Sequence, residues 1–316
     1  MPVDTSITQL VVGDFHGDKK PDVAVIEEGI GTGQVLIFLG NGDGTLQLAI
    51  TSAGGPASSG VAADFNGDGK LDLALNDGLV LLGDGDGTFQ APITAFSGGQ
   101  ALATGDLNGD GKADLVVVPS DNSSIQTLLG NGDGTFTSPY TYELSTYSNY
   151  SSGPVVADFN LDGKLDIAVG GQILLGNGNG SFQGWPAILD AGNLAATDDF
   201  DKNGTQDVAT AGDGIVSILL NDGTGVFTLA HTYSLEQPSA SMPVGDLNGD
   251  GKLDLVVAGY SLNLGGSYTV LLGNGDGSFQ PPVFLSARRW LQQSPNHYRG
   301  LQQRQNTRSR YFSFGG

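Results

Sequence analysis

The sequence predicts an all-β propeller built from four-stranded antiparallel blades, and three observations carry this prediction. A segment of the form "DFNGDGKLD" recurs six times, with 41 to 52 residues between the first aspartates of successive copies. Each copy is followed by a second signature of the form "LLGNGDGTF". Short apolar runs bounded by Gly, Asn and Asp indicate strands, and no helical period extends over 11 residues before about residue 287.

The second repeat shows how one unit divides into four strands. It reads "GVAADF", the acidic loop, "LDLALN", "GLVLLG", the turn "DGDG" and then "TFQAPITAF". Asn-Gly and Asp-Gly pairs supply the positive φ that tight hairpins require. Four strands in a unit of roughly 40–50 residues fit a propeller blade, whereas a β-solenoid has a shorter period and a string of separate domains a longer one.

Two regions follow from the repeats: a propeller over 1–287 and a basic tail over 288–316. The repeats occupy about 7–52, 53–97, 98–146, 147–190, 191–237 and 238–285. Only six repeats are legible. The tail holds all six arginines of the chain and neither repeat signature. It is interpreted as a disordered or non-native end that replaces a lost repeat, or as a basic extension that docks on the acidic body.

The composition excludes several function classes. The formal charge is −21, which argues against nucleic-acid binding through a basic surface. A hydrophobic content of 39% is enough for a core. No apolar run reaches the roughly 18 residues of a membrane helix, so membrane insertion is not expected. The first residues show no signal peptide, and there is no cysteine for disulfide cross-links.

The acidic loop has the donor chemistry of a calcium site. In a nine-residue copy, the side chains at positions 1, 3 and 5 converge when the backbone curls. Glycine at position 6 permits the turn, the carbonyl at 7 faces the same centre and the carboxylate at 9 closes it. An all-oxygen cage of this kind suits Ca²⁺ better than Zn²⁺ or Mg²⁺. EF-hand and dockerin loops share part of the spacing, but they are flanked by helices and an EF-hand needs Glu at position 12.

These loops and the "LLGNGDGTF" turns resemble the FG-GAP/VCBS repeat proteins. The resemblance covers about residues 7–285 and implies the integrin-α-like β-propeller fold, which usually closes with seven blades. It also implies calcium in the loop that joins the first two strands of each blade. The family includes adhesins, lectins and non-catalytic parts of polysaccharide-degrading enzymes, so the motif is specific for the fold and says little about function.

Carried over loop by loop, the resemblance implies five to six Ca²⁺ sites. The ligand sets are Asp14, Asp18 and Asp22; Asp64, Asn66, Asp68 and Asp72; Asp106, Asn108, Asp110 and Asp114; Asp158, Asn160, Asp162 and Asp166; Asp199, Asp201, Asn203 and Asp207; and Asp246, Asn248, Asp250 and Asp254. The first site is expected to be the weakest, because His16 and Lys19 depart from the pattern. The alternative is that these are polar turns without an ion. The "NGDG" turns are interpreted as hairpin turns.

Calcium would also indicate where the protein acts. If free Ca²⁺ stands tenfold above Kd, each site adds roughly 1.4 kcal/mol, and five or six sites add roughly 7–8 kcal/mol. That rivals the net stability of a typical domain. With a Kd of about 10⁻⁴ M, the gain requires millimolar calcium, which predicts an extracellular, periplasmic or cell-surface location.

No catalytic machinery is predicted. The chain has three histidines and lacks a nucleophile elbow, a phosphate-binding loop or a His-rich metal pattern. The loops account for most carboxylate pairs. A glycosidase would have to recruit one of several acidic residues between which nothing selects: Glu27, Glu28, Glu143, Glu236 or Asp190.

A ligand surface is predicted in the less regular segments. Residues 139–153, "PYTYELSTYSNYSSG", hold Tyr140, Tyr142, Tyr147 and Tyr150, and Trp185 lies in "FQGWPAI". Such residues suit glycan or protein contacts, or else they pack between blades. The predicted function is a non-catalytic, lectin-like binding or adhesion module. The alternatives are the propeller part of a carbohydrate-active enzyme, such as a polysaccharide lyase or glycosidase, and a purely structural repeat. The oligomeric state is not fixed by the sequence.

Overall fold

The computed structural model describes nine segments of the chain, which together form 25 strands and no helix. They are residues 6–29, 32–121, 123–144, 153–169, 172–188, 194–212, 214–235, 239–261 and 265–286. Within them, no helix is long and apolar enough to cross a membrane.

The strands form six sheets, here called blades 1 to 6. Blade 1 contains β1 (Ser6–Gly13), β2 (Asp22–Gly29), β3 (Thr32–Phe38) and β4 (Ile50–Gly54). Blade 2 contains β5 (Gly60–Ala63), β6 (Asp72–Leu75), β7 (Leu79–Leu81) and β8 (Ile93–Thr94). Blade 3 contains β9 (Ala101–Gly105), β10 (Asp114–Val118), β11 (Ser124–Gly130) and β12 (Phe136–Glu143).

Blades 4 to 6 follow the same plan. Blade 4 contains β13 (Val155–Ala157), β14 (Asp166–Val169), β15 (Gln172–Gly176) and β16 (Phe182–Ile188). Blade 5 contains β17 (Leu194–Asp198), β18 (Asp207–Gly212), β19 (Ile215–Asn221) and β20 (Phe227–Ser234). Blade 6 contains β21 (Ser239–Ser241), β22 (Val244–Gly245), β23 (Asp254–Ser261), β24 (Gly265–Leu271) and β25 (Val283–Ser286).

Each blade is an antiparallel meander in chain order, which confirms the predicted all-β propeller of four-stranded blades. In blade 6 the first strand is divided, and β21 and β22 both pair with β23. The acidic loops join the first and second strands of every blade, also as predicted. The described residues form six blades, and the seventh that the resemblance implied has no counterpart among them. The basic tail lies outside the described residues.

The core lies between the blades. The second strand of a blade is buried on both faces, as at every position of β6, β10 and β14. Both faces of these strands are covered because blades 2, 3 and 4 each pack between two others, and five apolar clusters fill the five junctions between successive blades. At the first junction, Phe15, Ile26 and Ile37 of blade 1 pack with Leu73 and Leu81 of blade 2.

An aromatic contact ties each acidic loop to the following blade at four of these junctions. The turn between the third and fourth strands of each blade is rich in glycine and is here called the glycine turn. The ring at loop position 2 meets, edge to face, the phenylalanine that ends the glycine turn of the next blade. Centroid separations run from 5.6 to 6.1 Å for the pairs Phe15–Phe89, Phe65–Phe136, Phe159–Phe227 and Phe200–Phe279. The fold therefore places the acidic loops at successive junctions between blades.

Candidate metal centres in the acidic loops

The loop of blade 2 folds its polar side chains onto its own backbone. Asp64 accepts the N–H of Gly67 at 2.7 Å on one oxygen and that of Gly69 at 2.7 Å on the other. Asn66 accepts the N–H of Asp68 at 2.9 Å, and Asp68 accepts that of Lys70 at 3.0 Å. The side chains at positions 1, 3 and 5 thus hold the backbone of this loop in a tight curl through their oxygens, which are the donor type that Ca²⁺ prefers.

The loops of blades 3 and 6 repeat all of these hydrogen bonds, and the loop of blade 4 repeats most of them. In blade 5, carboxylate oxygens of Asp199, Asp201 and Asp207 all lie within 4.8 Å of one another. Two ligands of one Ca²⁺ at about 2.3–2.6 Å from the ion are separated by at most about 5 Å. The donor set therefore fits a calcium ion.

The carboxylate at position 9 has a second role that the sequence did not reveal. It is fully buried in all six loops, and its two oxygens accept two backbone N–H groups at 2.7–2.9 Å. One N–H belongs to loop position 2 and the other to the residue that opens the glycine turn. These carboxylates, which tie each loop to the end of the third strand, are Asp22, Asp72, Asp114, Asp166, Asp207 and Asp254.

The electrostatics of the loops favour a cation. Burial raises the pKa of Asp72, Asp114 and Asp166, and neighbouring loop carboxylates add to the effect. For Asp207, burial is again the main cause, the charge of Asp201 contributes, and the pKa rises to about 6. A divalent cation would neutralise this accumulated negative charge and favour the ionised form of the carboxylates.

The first loop is internally bridged instead. Nδ1 of His16 lies 2.8 Å from Oδ2 of Asp22, and Nε2 lies 3.0 Å from Oδ2 of Asp18. The hydrogen bond with Asp22 is the main cause that raises the pKa of His16. Lys20 adds an ion pair with Asp18 at 2.7 Å. An imidazole and an ammonium therefore already contact the carboxylates of this loop, although ligand atoms of Asp14, His16 and Asp18 also lie within 4.8 Å of one another. That this loop is the weakest calcium site stays a prediction.

Departures from the glycine pattern coincide with strained backbone. Among the described residues, the non-glycine residues with left-handed φ are Lys19 (66°), Leu161 (57°) and Lys202 (62°). Each stands at loop position 4 or 6, where the other copies have glycine. The loop shape is therefore kept even where the side chain opposes it, at a cost of roughly 1–2 kcal/mol per residue.

The predicted aromatic ligand residues are only partly described. Tyr142 lies on β12, where its ring meets Phe182 edge-on at 5.8 Å and its hydroxyl accepts the N–H of Phe182 at 2.9 Å. Tyr140 lies on the same strand, 6.4 Å from Tyr142. Tyr142 thus packs between blades 3 and 4, as one of the two interpretations held. Trp185 lies on β16. Tyr147 and Tyr150 lie outside the described residues.

Two further junction contacts were missed by sequence reasoning. Tyr233 accepts the N–H of Phe279 at 2.7 Å, which repeats the Tyr142 contact two blades later. Asn221 stands where the other turns have glycine, and its side-chain amide donates to the carbonyl of Phe159 at 2.6 Å. Each tyrosine lies six residues after the phenylalanine that ends the glycine turn of its own blade, Phe136 for Tyr142 and Phe227 for Tyr233. This shared spacing is the sequence signal that relates the two tyrosines.

A groove separates the loops of blades 2 and 3. Its volume is about 350 Å³. Small residues form most of its wall, and Asp64, Asp106, Thr104 and Lys112 provide polar groups. This groove is the candidate ligand site, and it lies next to two of the candidate metal loops.

Comparison with known proteins identifies the repeat. Five segments match the FG-GAP-like repeat: residues 14–75, 76–117, 106–169, 199–257 and 246–296. The chain belongs to the FG-GAP-like repeat family. Its matched segments include all six acidic loops, and several of them run from the acidic loop of one blade to the second strand of the next. No curated protein matches the chain.

Solved structures share the fold at low identity. A lectin of Agrocybe aegerita that recognises non-reducing terminal N-acetylglucosamine is 22% identical with a TM-score of 0.62, over 90% of this chain and 81% of the lectin. The rhamnogalacturonan lyase PL11 of Bacillus licheniformis is 16% identical with a TM-score of 0.52, over 87% of this chain and 57% of the lyase. BBS1N, solved in complex with ARL6DN, is 12% identical with a TM-score of 0.54, over 85% of this chain and 79% of BBS1N.

Proposed function

We propose that this FG-GAP-like protein is a calcium-stabilised propeller that binds glycans without catalysis, outside the cytoplasm. The observation that carries the calcium part is the convergence of carboxylate oxygens of Asp199, Asp201 and Asp207, which lie within 4.8 Å of one another in a loop whose hydrogen-bonded curl recurs in the other blades. The fold shared with a lectin over 90% of the chain supports the glycan part.

The buried carboxylates support a non-catalytic role. A general acid or base must reach the proton that it transfers. Both oxygens of each position-9 carboxylate already accept backbone N–H groups, as for Asp72 at 2.7 and 2.8 Å. Asp77 is a different case, because burial raises its pKa and its Oδ2 has no hydrogen-bond partner. Gly55 covers that oxygen so closely that a Cβ added at Gly55 would lie 1.7 Å from it. A substrate therefore has no room to reach this oxygen.

The groove between the loops of blades 2 and 3 is the proposed glycan site. Lys112 lines it from loop position 7, with its ammonium 4.0 Å from Asp110. Lys252 has the same position in blade 6, 3.7 Å from Asp250, and provides a matched control. Removing the Lys112 side chain should weaken binding, because the groove loses a donor to sugar oxygens.

The test is a glycan array followed by calorimetry in millimolar calcium. We expect a bound glycan whose affinity falls at least about fivefold, or roughly 1 kcal/mol, in Lys112→Ala. The affinity of Lys252→Ala should be unchanged. Equal losses in both variants would assign the effect to overall charge, and absence of binding to any array glycan would refute the glycan part.

The second candidate is the propeller portion of a carbohydrate-active enzyme. The chain covers only 57% of the length of the Bacillus licheniformis lyase, so an enzyme of this kind has further structure beyond a propeller. Release of unsaturated products or reducing ends from polysaccharides by the purified chain would favour this candidate over the lectin-like module.

A further inference from the structure

The first acidic loop differs from the other five at position 3. In those five loops the side-chain oxygen at position 3 accepts the backbone N–H of position 5, at 2.8–3.1 Å. His16 stands at this position in the first loop and has no side-chain oxygen. Its ring contacts the carboxylates of Asp18 at position 5 and Asp22 at position 9 instead. The first loop therefore offers a nitrogen donor where the other loops offer oxygen.

The donors of this loop converge. Ligand atoms of Asp14, His16 and Asp18 lie within 4.8 Å of one another. Two such groups of three occur in the described part of the chain, and this one alone includes a nitrogen donor. Nε2 of His16 lies 3.0 Å from Oδ2 of Asp18. Two ligands of a tetrahedral Zn²⁺, each about 2.0–2.2 Å from the ion, are separated by about 3.3–3.6 Å, so a small opening of this pair admits the ion.

A fully buried carboxylate outside that group orients the imidazole. Oδ2 of Asp22 lies 2.8 Å from Nδ1 of His16 and accepts the N–H of Phe15 at 2.8 Å. Oδ1 of Asp22 accepts the N–H of Gly40 at 2.8 Å, so the carboxylate is held from two sides. Nδ1 is then the donating nitrogen, and Nε2 presents its lone pair. A metal-bound imidazole is usually held in this way, with its other nitrogen donating to a carboxylate.

Nε2 and the carboxylate of Asp18 are then two acceptors that face each other. Such a pair at 3.0 Å requires a positive charge between the two atoms, which a proton or a metal ion supplies. The group is also accessible to an ion, because Asp18 is exposed and both Asp14 and His16 are partly exposed. Orientation, charge and access thus all fit a metal ion bound to the first loop.

We propose that the first acidic loop binds a first-row transition metal ion such as Zn²⁺ in preference to calcium. His16 supplies Nε2, and Asp14 and Asp18 each supply a carboxylate oxygen, with water completing the coordination. Ca²⁺ takes oxygen ligands, whereas imidazole suits Zn²⁺ and its neighbours in the series, so the nitrogen donor selects the transition metal. Asp22 acts as the outer partner of His16 rather than as the ligand at position 9 that the resemblance implied.

Lys20 does not distinguish the first loop from the others. Its ammonium lies 2.7 Å from Oδ2 of Asp18, and the lysine at position 7 also contacts the position-5 aspartate in blades 2, 3, 4 and 6, at 3.1–4.0 Å. A carboxylate has about four lone-pair sites, so Asp18 can accept Lys20 and coordinate an ion together. The imidazole at position 3 is therefore the donor that sets this loop apart.

Isothermal titration calorimetry with Zn²⁺ tests the proposal on the full chain, purified without a polyhistidine tag, in millimolar calcium. His16→Asn installs the residue that stands at position 3 in blades 2, 3, 4 and 6, so the loop should fold as it does there. Asp18→Asn keeps the imidazole and removes one carboxylate. His231→Asn is the matched control, because His231 is exposed on the outer strand β20 and belongs to neither converging group.

The wild-type chain and His231→Asn should each bind one Zn²⁺. The affinity should fall at least about tenfold in His16→Asn and in Asp18→Asn, since even the loss of an outer partner costs roughly 10–100-fold. The tightest Zn²⁺ site should show the same differences in calcium-free buffer, so the proposal is tested separately from calcium binding by the other loops. A wild-type chain that binds no Zn²⁺, equal affinities in wild type and His16→Asn, or an equal loss in His231→Asn would overturn the proposal.

Discussion

Oδ1 of Asp72 accepts the backbone N–H of Gly83 at 2.7 Å, and this bond ties the acidic loop of blade 2 to the end of its third strand. Oδ2 of the same carboxylate accepts the N–H of Phe65 at 2.8 Å. The residue that ends the acidic loop therefore also organises the blade, in every one of the six described copies. This explains why position 9 is aspartate even in the first loop, where positions 3 and 6 have changed.

Asp72→Asn should destabilise the protein whether or not calcium is present. The asparagine amide has an NH₂ group where the carboxylate has its second oxygen. One of the two buried backbone N–H groups therefore loses its acceptor and faces another donor. The expected loss is about 2–4 kcal/mol, since hydrogen bonds to charged groups and buried unsatisfied groups each cost about 1–3 kcal/mol. Urea unfolding in excess calcium and in EDTA measures it.

Asp64→Asn is the control for that experiment, because Asp64 lies at position 1 of the same loop and is solvent-accessible. The free energy of unfolding of Asp64→Asn should fall far below that of the wild type in calcium and only slightly below it in EDTA. Equal behaviour of the two variants in both conditions would contradict the separate role of position 9.

Leu161→Gly should stabilise the protein by about 0.5–1 kcal/mol. Leu161 has a φ of 57°, a conformation that glycine adopts without strain, and its side chain is 58% exposed, so little burial is lost. Gly67 occupies the same loop position in blade 2 with a φ of 77°, and no heavy atom lies within 4 Å of where a Cβ would stand. Gly67→Ala should therefore destabilise by about 1 kcal/mol through backbone strain alone. Changes of the same sign in the two variants would refute the strain argument.

Asp77→Asn should become more stabilising as pH rises. Burial raises the pKa of Asp77, so its favourable contribution is present below its unfolded pKa and is lost as pH rises through its folded pKa. The asparagine does not titrate and retains an oxygen for the N–H of Leu79, which the carboxylate accepts at 3.1 Å. Urea midpoints between pH 4 and 7, in saturating calcium, should diverge in favour of the variant.

Asp121→Asn provides the opposite case. Hydrogen bonds from the backbone and hydroxyl of Ser123 lower the pKa of this exposed carboxyl. Its contribution is present above its unfolded pKa and is lost as pH falls through its folded pKa, so the variant should lose stability relative to wild type toward pH 7. A parallel pH dependence for both variants would show that neither carboxyl is responsible.

Tyr142→Phe should cost about 1 kcal/mol of folding stability, the usual value of one hydrogen bond. The N–H of Phe182 loses its acceptor, while the ring contact is preserved. Tyr233→Phe should cost a similar amount for the same reason. Glycan affinity should not change in either variant. A weaker glycan affinity of Tyr142→Phe with an unchanged melting temperature would indicate that Tyr142 contacts the ligand after all.

The sequence predicted the blades and the position of the acidic loops because both depend on local patterns. Glycine and aspartate at fixed spacing define turns, and the short apolar runs between them define strands. The curled loop around Asp64 and Asn66 also followed from spacing. In these cases the determining contacts lie within nine residues of one another.

The contacts between blades could not be predicted in the same way. The hydroxyl of Tyr142 reaches the N–H of Phe182 across 40 residues, and Asn221 reaches the carbonyl of Phe159 across 62 residues. Leu247 is 54% exposed, whereas Phe15 at the same loop position of blade 1 is 2% exposed, and this difference depends on which blade follows each in space. A repeated motif carries no information about such differences between chemically similar copies.

Calcium content and thermal stability, measured together on the purified full chain, test the central claim most directly. After equilibration with millimolar Ca²⁺, elemental analysis should find five to six calcium ions per chain, with the first loop as the site that fills last. EDTA should lower the melting temperature by more than about ten degrees, and added Ca²⁺ should restore it. A chain that binds no calcium and melts at the same temperature in EDTA would contradict the account.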